Sequence, residues 1–166
     1  MSDHRPISGR LVPTAEGRDL VLTRTHRADI EDVWASITEP ERTARWIGPW
    51  TGECAVGAKV TLVMAFEEGQ PAGDLVIEAC DAPRRLAVRM VDEHVDWRLE
   101  ARLGQQGDIT TMELIHHLDP DVSPSDVGPG WEFYLDLLEA ARAGDDPVTF
   151  DGYQDGFGPA YRALEP

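Results

Sequence analysis

The sequence predicts an α+β fold in which a curved antiparallel sheet closes around one long C-terminal helix, and three features predict it. From Gly128 to Ala143, Trp131, Tyr134, Leu135, Leu138 and Ala141 recur at the i, i+3, i+4, i+7 spacing of a helix with one apolar face. From residue 58 to residue 118 the apolar period falls to two, the signature of strands with one buried side. Two short segments of helical period separate those strands from an earlier one. A sheet with one oily face needs a cover, and the long helix supplies it.

In chain order, residues 1–17 are polar and broken by Pro6, Gly9, Pro13 and Gly17, which predicts a frayed arm or a short edge segment. Asp19–Arg27 alternates Leu20, Leu22, Arg24 and His26 with Val21, Thr23 and Thr25. It reads as the first strand, with the Val21 set or its neighbours toward the core and His26 exposed at its end. Asp29 is placed to cap Ile30–Ile37, where Ile30, Val33, Trp34 and Ile37 share one side. Pro40 opens a second short helix carrying Glu41, Arg42, Ala44, Arg45 and Trp46, and Gly48-Pro49 ends it. Trp46, Ile47 and Trp50 make an aromatic corner, read as a cover for one end of the sheet, with ligand stacking as the alternative reading.

Ala58–Phe66, Gly73–Cys80, Arg85–Val91, His94–Leu103 and Ile109–Leu118 follow as strands separated by turns rich in Gly, Pro and Asp. In the last strand Met112, Leu114, His116 and Leu118 are read as pointing inward. Residues 119–127 form a Pro, Asp and Ser crossover, Pro129 and Gly130 mark the entrance of the long helix, and Gly144 marks its exit. In the tail, Phe150, Tyr153, Phe157 and Tyr161 are dense enough to repay ordering against the domain. The length suits a single domain over residues 1–166, with its core at about 18–143 and a tail at 144–166.

Charge narrows the partners. The chain has 31 acidic residues against 15 Lys and Arg, a net charge of -16, so nucleic acid and anionic membranes are repelled. Residues 119–166 hold 11 of the acidic residues and only 2 arginines. Glu132, Asp136 and Glu139 are therefore read as a solvated outer helix face, with a basic protein partner as the alternative reading. No apolar run approaches the roughly 20 residues that span a bilayer, and no signal-peptide pattern opens the chain, so a cytoplasmic protein without membrane insertion is expected. Cys54 and Cys80 belong to no CxxC pair and read as free thiols.

Sequence motifs for catalysis are sparse. His116 and His117 are adjacent in a strand, point to opposite faces and cannot chelate together; only His116 shares the parity of Met112 and Leu114. Glu100 and Glu113 fall opposite the apolar positions and are read as solvated, which removes a paired-carboxylate site. Asp92, Glu93, His94 and Asp96 read as a hydrated loop rather than a metal site, His94 and His117 as solvent-facing, and no cofactor motif is present. What remains is a cavity between sheet and helix. Its expected walls are Met64, Phe66, Met90, Trp97, Met112 and Leu114 from the strands and Trp131, Leu135 and Leu138 from the helix, with His116 and Tyr134 as polar handles. A filled core is the competing reading.

Four stretches carry a family likeness: DVWASITEPERTARWIG (Asp32–Gly48), HVDWRLEARL (His94–Leu103), TTMELIHHL (Thr110–Leu118) and GPGWEFYLDLLEA (Gly128–Ala140). Together they span most of residues 18–143, and they resemble the START-like, or SRPBCC, superfamily. Within it they are similar to the homologues of the heat-shock-protein-90 ATPase activator's C-terminal domain. The resemblance implies a helix-grip fold, and by local context Trp34, Trp46 and Trp131 match aromatic positions that look structural. The activator also has an N-terminal client-binding domain, for which 166 residues leave no room, so co-chaperone activity is not implied. Related small proteins bind apolar ligands, and the superfamily includes polyketide cyclases and aromatases. The leading expectation is noncatalytic binding of a small apolar or amphipathic molecule. The alternatives are a cyclase- or dehydratase-like enzyme using His116 or Tyr134, and a protein-interaction module using the acidic surface. A homodimer is compatible with either.

Overall fold

A computed structural model describes residues 5–91 and 96–165. The strands are β1 (Gly9–Thr14), β2 (Gly17–His26), β3 (Trp50–Thr51), β4 (Lys59–Val63), β5 (Ala72–Asp81), β6 (Arg85–Val91), β7 (Asp96–Gln106) and β8 (Ile109–Leu118). They form one antiparallel sheet in the order β1-β2-β8-β7-β6-β5-β4-β3. Helices α1 (Ile30–Thr38) and α2 (Pro40–Thr43) follow β2, and the long α3 (Pro124–Ala143) and shorter α4 (Tyr153–Arg162) follow the sheet. This is the predicted curved sheet with a long C-terminal helix, enlarged by the edge strand β1, the two-residue β3 and the ordered tail helix.

Register sets the inner face. Leu20 pairs with His116, which pairs with Leu99, then Val88 and Ile77; Leu22, Leu114, Ala101 and Leu86 form the neighbouring row. The inward residues of β2 are thus Leu20, Leu22, Arg24 and His26, which corrects the expectation that the Val21 set faces the core. His26 is only 9% exposed, not at a free strand end as expected. The rows explain both reversals: β2 is a central strand beside β8, and its Leu20 set must share the face of Leu114 and His116.

Asp29 precedes α1 as expected, yet its side chain makes no cap. The Gln105 Oε1 accepts the Ile30 N–H at 2.9 Å instead, so a neighbouring strand supplies the cap. The long helix also begins earlier than the sequence reading placed it. Ser123 and Asp126 form a reciprocal capping box around Pro124 at the first turn. Pro129 consequently lies inside the helix, where its missing N–H leaves the Ser125 carbonyl without its helical donor; Gln154 Nε2 of α4 donates to that carbonyl at 3.2 Å. Gly144 closes the helix in the left-handed conformation at φ 76, as predicted.

The tail packs as a second helical layer. Tyr161 is fully buried, and a Cβ at Gly128 would lie 2.4 Å from its ring, so α3 carries glycine where α4 crosses it. Gly128→Ala is expected to cost about 1–3 kcal/mol by overpacking. Gly130→Ala, where a Cβ meets nothing, is expected to stabilise by about 0.5–1 kcal/mol through helix propensity. Urea unfolding of the two variants checks the opposite signs.

Beneath that layer, Glu132 of α3 is buried and Asp136 mostly so while Glu139 stays partly exposed, which corrects the reading of all three as a solvated face. Glu132 is 0% exposed and Arg24 8% exposed, with Arg24 Nη2 donating to Glu132 Oε1 at 2.8 Å. Arg24 Nη1 also donates to Asp136 and Glu139. Arg5 and the Ser8 N–H and hydroxyl of the N-terminal arm donate to Glu132, and Tyr161 donates its hydroxyl to the same carboxylate. Burial pushes the Glu132 carboxyl up, but the hydrogen bonds from Tyr161, Ser8, Arg5 and Arg24 outweigh it and hold the group below the usual carboxylate range. Glu132, Asp136 and Glu139 therefore all meet Arg24 against the fold.

On the outer face of the sheet, Glu100 is 4% exposed, which overturns its reading as a solvated residue. Arg85 and Arg102 donate to it, and its other oxygen meets His117 Nε2 at 3.3 Å. Long arginine stems lie over this face and cover it. His117 is half-buried between Asp19 and Glu100, not turned freely to solvent. Glu113 is partly exposed beside Arg10. Asp92, Glu93 and His94 lie outside the described residues, and Asp96 is paired with Arg89.

Candidate ligand cavity

Two apolar clusters share the inner face. One is built on α3, α1 and the β2, β7 and β8 strands, with Leu20, Leu22, Met112, Leu135 and Leu138 among its buried members. The other lies at the far end of the sheet and is made by Val60, Leu62, Leu75 and Ile77 of β4 and β5. Helix α3 covers the first cluster and leaves the second facing inward across a gap. That gap is a cavity of about 150 Å³.

Its walls come from three directions. The sheet contributes Leu62, Ile77, Val88, Leu99, Ala101 and Leu114; α3 contributes Trp131 and Leu135; and α1 contributes Ile37, with Trp46, Ile47 and Trp50 from the corner that follows α2. The chain can place Trp46 there because Thr43 ends α2 and its carbonyl takes the N–H groups of Trp46, Ile47 and Gly48 in a tight reversal. The Trp46 indole N–H then donates to the Ser36 carbonyl at 2.8 Å, fixing the ring between helix and cavity.

The hydroxyls and the carboxylate on the lining are already occupied. The Thr38 hydroxyl donates to Trp34 O and the Thr43 hydroxyl to Pro40 O, both within their own helical turns. Glu100 borders the cavity, but its carboxylate is engaged by Arg85 and Arg102 on the other face. The Cys54 thiol is half-buried beside Cys80, and burial and that neighbour push it up to about 12, so it is a neutral thiol at physiological pH. Both cysteines are free, as read from the sequence. Its lining is almost wholly apolar, and its volume suits a body about as large as a benzene ring.

Of the residues expected to line a cavity, Met112, Leu114, Trp131 and Leu135 meet around it. Trp97 and His116 stand behind that wall: the rings of Trp97 and His116 lie 5.1 Å apart, and Trp97 and Trp131 6.2 Å apart. Trp131 Nε1 donates to His116 Nδ1 at 3.1 Å, so the imidazole must be neutral on that nitrogen. Burial, with His117 adding to it and Asp19 opposing it, lowers His116 to about 4. Tyr134 packs 6.0 Å from Trp131 with a buried hydroxyl that has no hydrogen-bond partner among the described residues; burial and the Glu67 carboxylate push its pKa up. Leu138 lies toward α1 and α2, in the wall of a separate polar groove.

Met64 and Phe66 sit past the end of β4, which is shorter than the strand read from the sequence, and pack at the edge of the α3 cluster. Met90 packs with the β4–β5 cluster and reaches the Gly73 backbone. The residues that sequence reasoning left out are mainly those of the α1–α2 corner and of β4 and β5. Trp46, Ile47 and Trp50 had a signal, their aromatic density, for which a cap of the sheet is the leading sequence reading and ligand stacking the alternative; all three line the cavity. No group of three or more His, Cys, Asp or Glu among the described residues is arranged to hold a metal, and no helix among them is long and apolar enough to cross a membrane.

Comparison with known proteins places this architecture. No curated protein sequence matches the chain. The crystal structure of CalU16 from Micromonospora echinospora is similar to it at 27% identity and a TM-score of 0.74, covering 95% of this chain and 96% of CalU16. The solution structure of the same protein gives 26% identity and a TM-score of 0.76, over 99% and 97% of the two chains. An Aha1 from Colwellia psychrerythraea, solved as a dimer, shares the fold at 12% identity and a TM-score of 0.63, over 77% of this chain and 98% of that one. The family model for activator of Hsp90 ATPase homolog 1-like proteins matches residues 27–143. Those residues run from the end of β2 through α3, so they hold the α1–α2 corner, the strands and the helix that enclose the cavity, and the chain belongs to the family of activator of Hsp90 ATPase homolog 1-like proteins.

Proposed function

We propose that the protein binds a small apolar or amphipathic molecule, without catalysis, in the cavity between the sheet and α3. The observation that carries this reading is the gap separating the two apolar clusters, lined by Trp46, Trp50 and Trp131. A protein interior is normally close-packed, and an unfilled apolar space forgoes dispersion contacts that a ligand restores. Catalysis finds less support: His116 is held as a neutral acceptor behind the wall, and the Thr38 and Thr43 hydroxyls are committed to helix carbonyls.

Native mass spectrometry of the purified protein, followed by solvent extraction, tests for a retained molecule. Titration with 4-phenylbutan-1-ol, read by tryptophan fluorescence, tests the cavity itself, because three indoles line it. Leu62→Trp places a large ring in the space and is expected to weaken that binding by about tenfold or more, equivalent to a loss of about 1.4 kcal/mol, while the circular dichroism spectrum is retained. No retained molecule, together with no fluorescence response to the alcohol, refutes the reading.

A further inference from the structure

A second concavity adjoins the cavity on the other side of Trp46. It is a polar groove of about 430 Å³ between the α1–α2 corner and the C-terminal half of α3, and Trp46 lines both spaces. The indole borders both spaces at their shared edge, oriented by its bond to the Ser36 carbonyl.

The charges in the groove are unequally committed. Asp32 is taken from two sides: Arg42 Nη1 donates to Oδ1 at 2.7 Å and Arg142 Nη2 to Oδ2 at 2.9 Å. Arg142 also donates to the Ser36 hydroxyl at 2.7 Å, and Arg42 lies 3.2 Å from Glu39. Arg45 is different. It is exposed, lines the same groove, and has no ion-pair or side-chain hydrogen-bond partner among the described residues. In a chain of net charge -16, an uncommitted guanidinium in the groove that shares Trp46 with the apolar cavity is the local feature that can attract an anion. Glu41, also exposed and unpaired among the described residues, stands on the groove and works in the opposite direction.

We infer that the groove receives the acidic head of the cavity's ligand, which is an aromatic or aliphatic carboxylate with its apolar body beside Trp46 and Trp131 and its carboxylate on Arg45. This rests on the cavity being the binding site. The cavity lining holds no cationic side chain to meet an acid, its one carboxylate and its hydroxyls are committed, and Trp46 borders both the cavity and the groove where Arg45 stands. Arg45 is suited to the task because a guanidinium can present two parallel N–H donors to one carboxylate.

The test compares a matched pair of probes, 4-phenylbutyrate and 4-phenylbutan-1-ol, which differ in the charge of the head. Each is titrated into the wild-type chain, Arg45→Gln and Glu41→Gln with tryptophan fluorescence as the readout. The Arg45→Gln variant is expected to lower the acid-to-alcohol affinity ratio roughly three- to tenfold while leaving the alcohol unchanged. Glu41→Gln is expected to raise that ratio, and added salt to narrow the difference between wild type and Arg45→Gln. A ratio that Arg45→Gln leaves unchanged overturns the inference, and continued binding of the alcohol then leaves the cavity reading standing. Failure of both probes to bind any of the three proteins overturns the two together.

Discussion

Glu132→Leu is expected to lower the unfolding free energy by about 3–5 kcal/mol, the range seen when one partner of a buried ion pair is removed. The leucine fits a fully buried position by size, so the loss is electrostatic. It leaves Arg24 facing an apolar group and strips acceptors from the Ser8 N–H, the Ser8 hydroxyl and the Tyr161 hydroxyl. Arg24 keeps Asp136 and Glu139, which sets the upper limit on the damage. Glu132→Gln retains one amide oxygen and is expected to fall between wild type and leucine. Urea unfolding at neutral pH measures the series, and equal stability of all three proteins would mean that the cluster contributes nothing net.

Stability is also expected to fall as the pH drops from about 6.5 to 4, by about 2 kcal/mol at pH 5 for each of His26 and His116. Both side chains have their pKa lowered from 6.5 to about 4. Burial is the main cause for each, joined at His26 by Arg142 and Arg24 and at His116 by His117. The sign follows from which state takes the proton. Below pH 6.5 the unfolded chain protonates these imidazoles and the folded chain does not, so unfolding is favoured progressively until the folded groups also protonate near pH 4. Above pH 6.5 both states are neutral and the full stability is present. The two are 9% and 2% exposed, so solvent screens them little. In urea titrations between pH 7 and 5, His26→Leu should flatten the profile by half. The combined His26→Leu and His116→Gln protein should flatten most of the rest, with glutamine keeping an acceptor for Trp131 Nε1.

The fold was legible because periodicity is local. Alternation along Ile109–Leu118 and the helical rhythm of Trp131, Leu135 and Leu138 identify strand and helix without reference to any partner. What was misread depended on partners. Pro129 looks like a helix entrance until Gln154 is seen completing the Ser125 carbonyl, although the Ser123 and Asp126 pair was already present in the sequence as a capping signal. Glu132 looks solvated until Arg24 is recognised as inward-pointing, and the shared parity of Arg24 with Leu20 and Leu22 was the available clue. The lining of the cavity was hardest to read. Its position depends on which end of the sheet α3 leaves uncovered, and that follows from the strand order, with β4 and β5 far from β2.

Helix α4 has a further consequence, for the order in which the molecule can be completed. Glu132 holds Arg5 across 127 positions and Tyr161 across 29, and a Cβ at Gly9 would strike the same Tyr161 ring. Hairpins such as β7–β8 close over short loops, whereas this junction joins the two most distant parts of the described chain and must meet the entropy of that separation. The β1 arm therefore has no finished seat until α4 has docked. The α3 rod, whose other side carries Trp131 and Leu135, thus joins this long-range junction to the walls of the cavity.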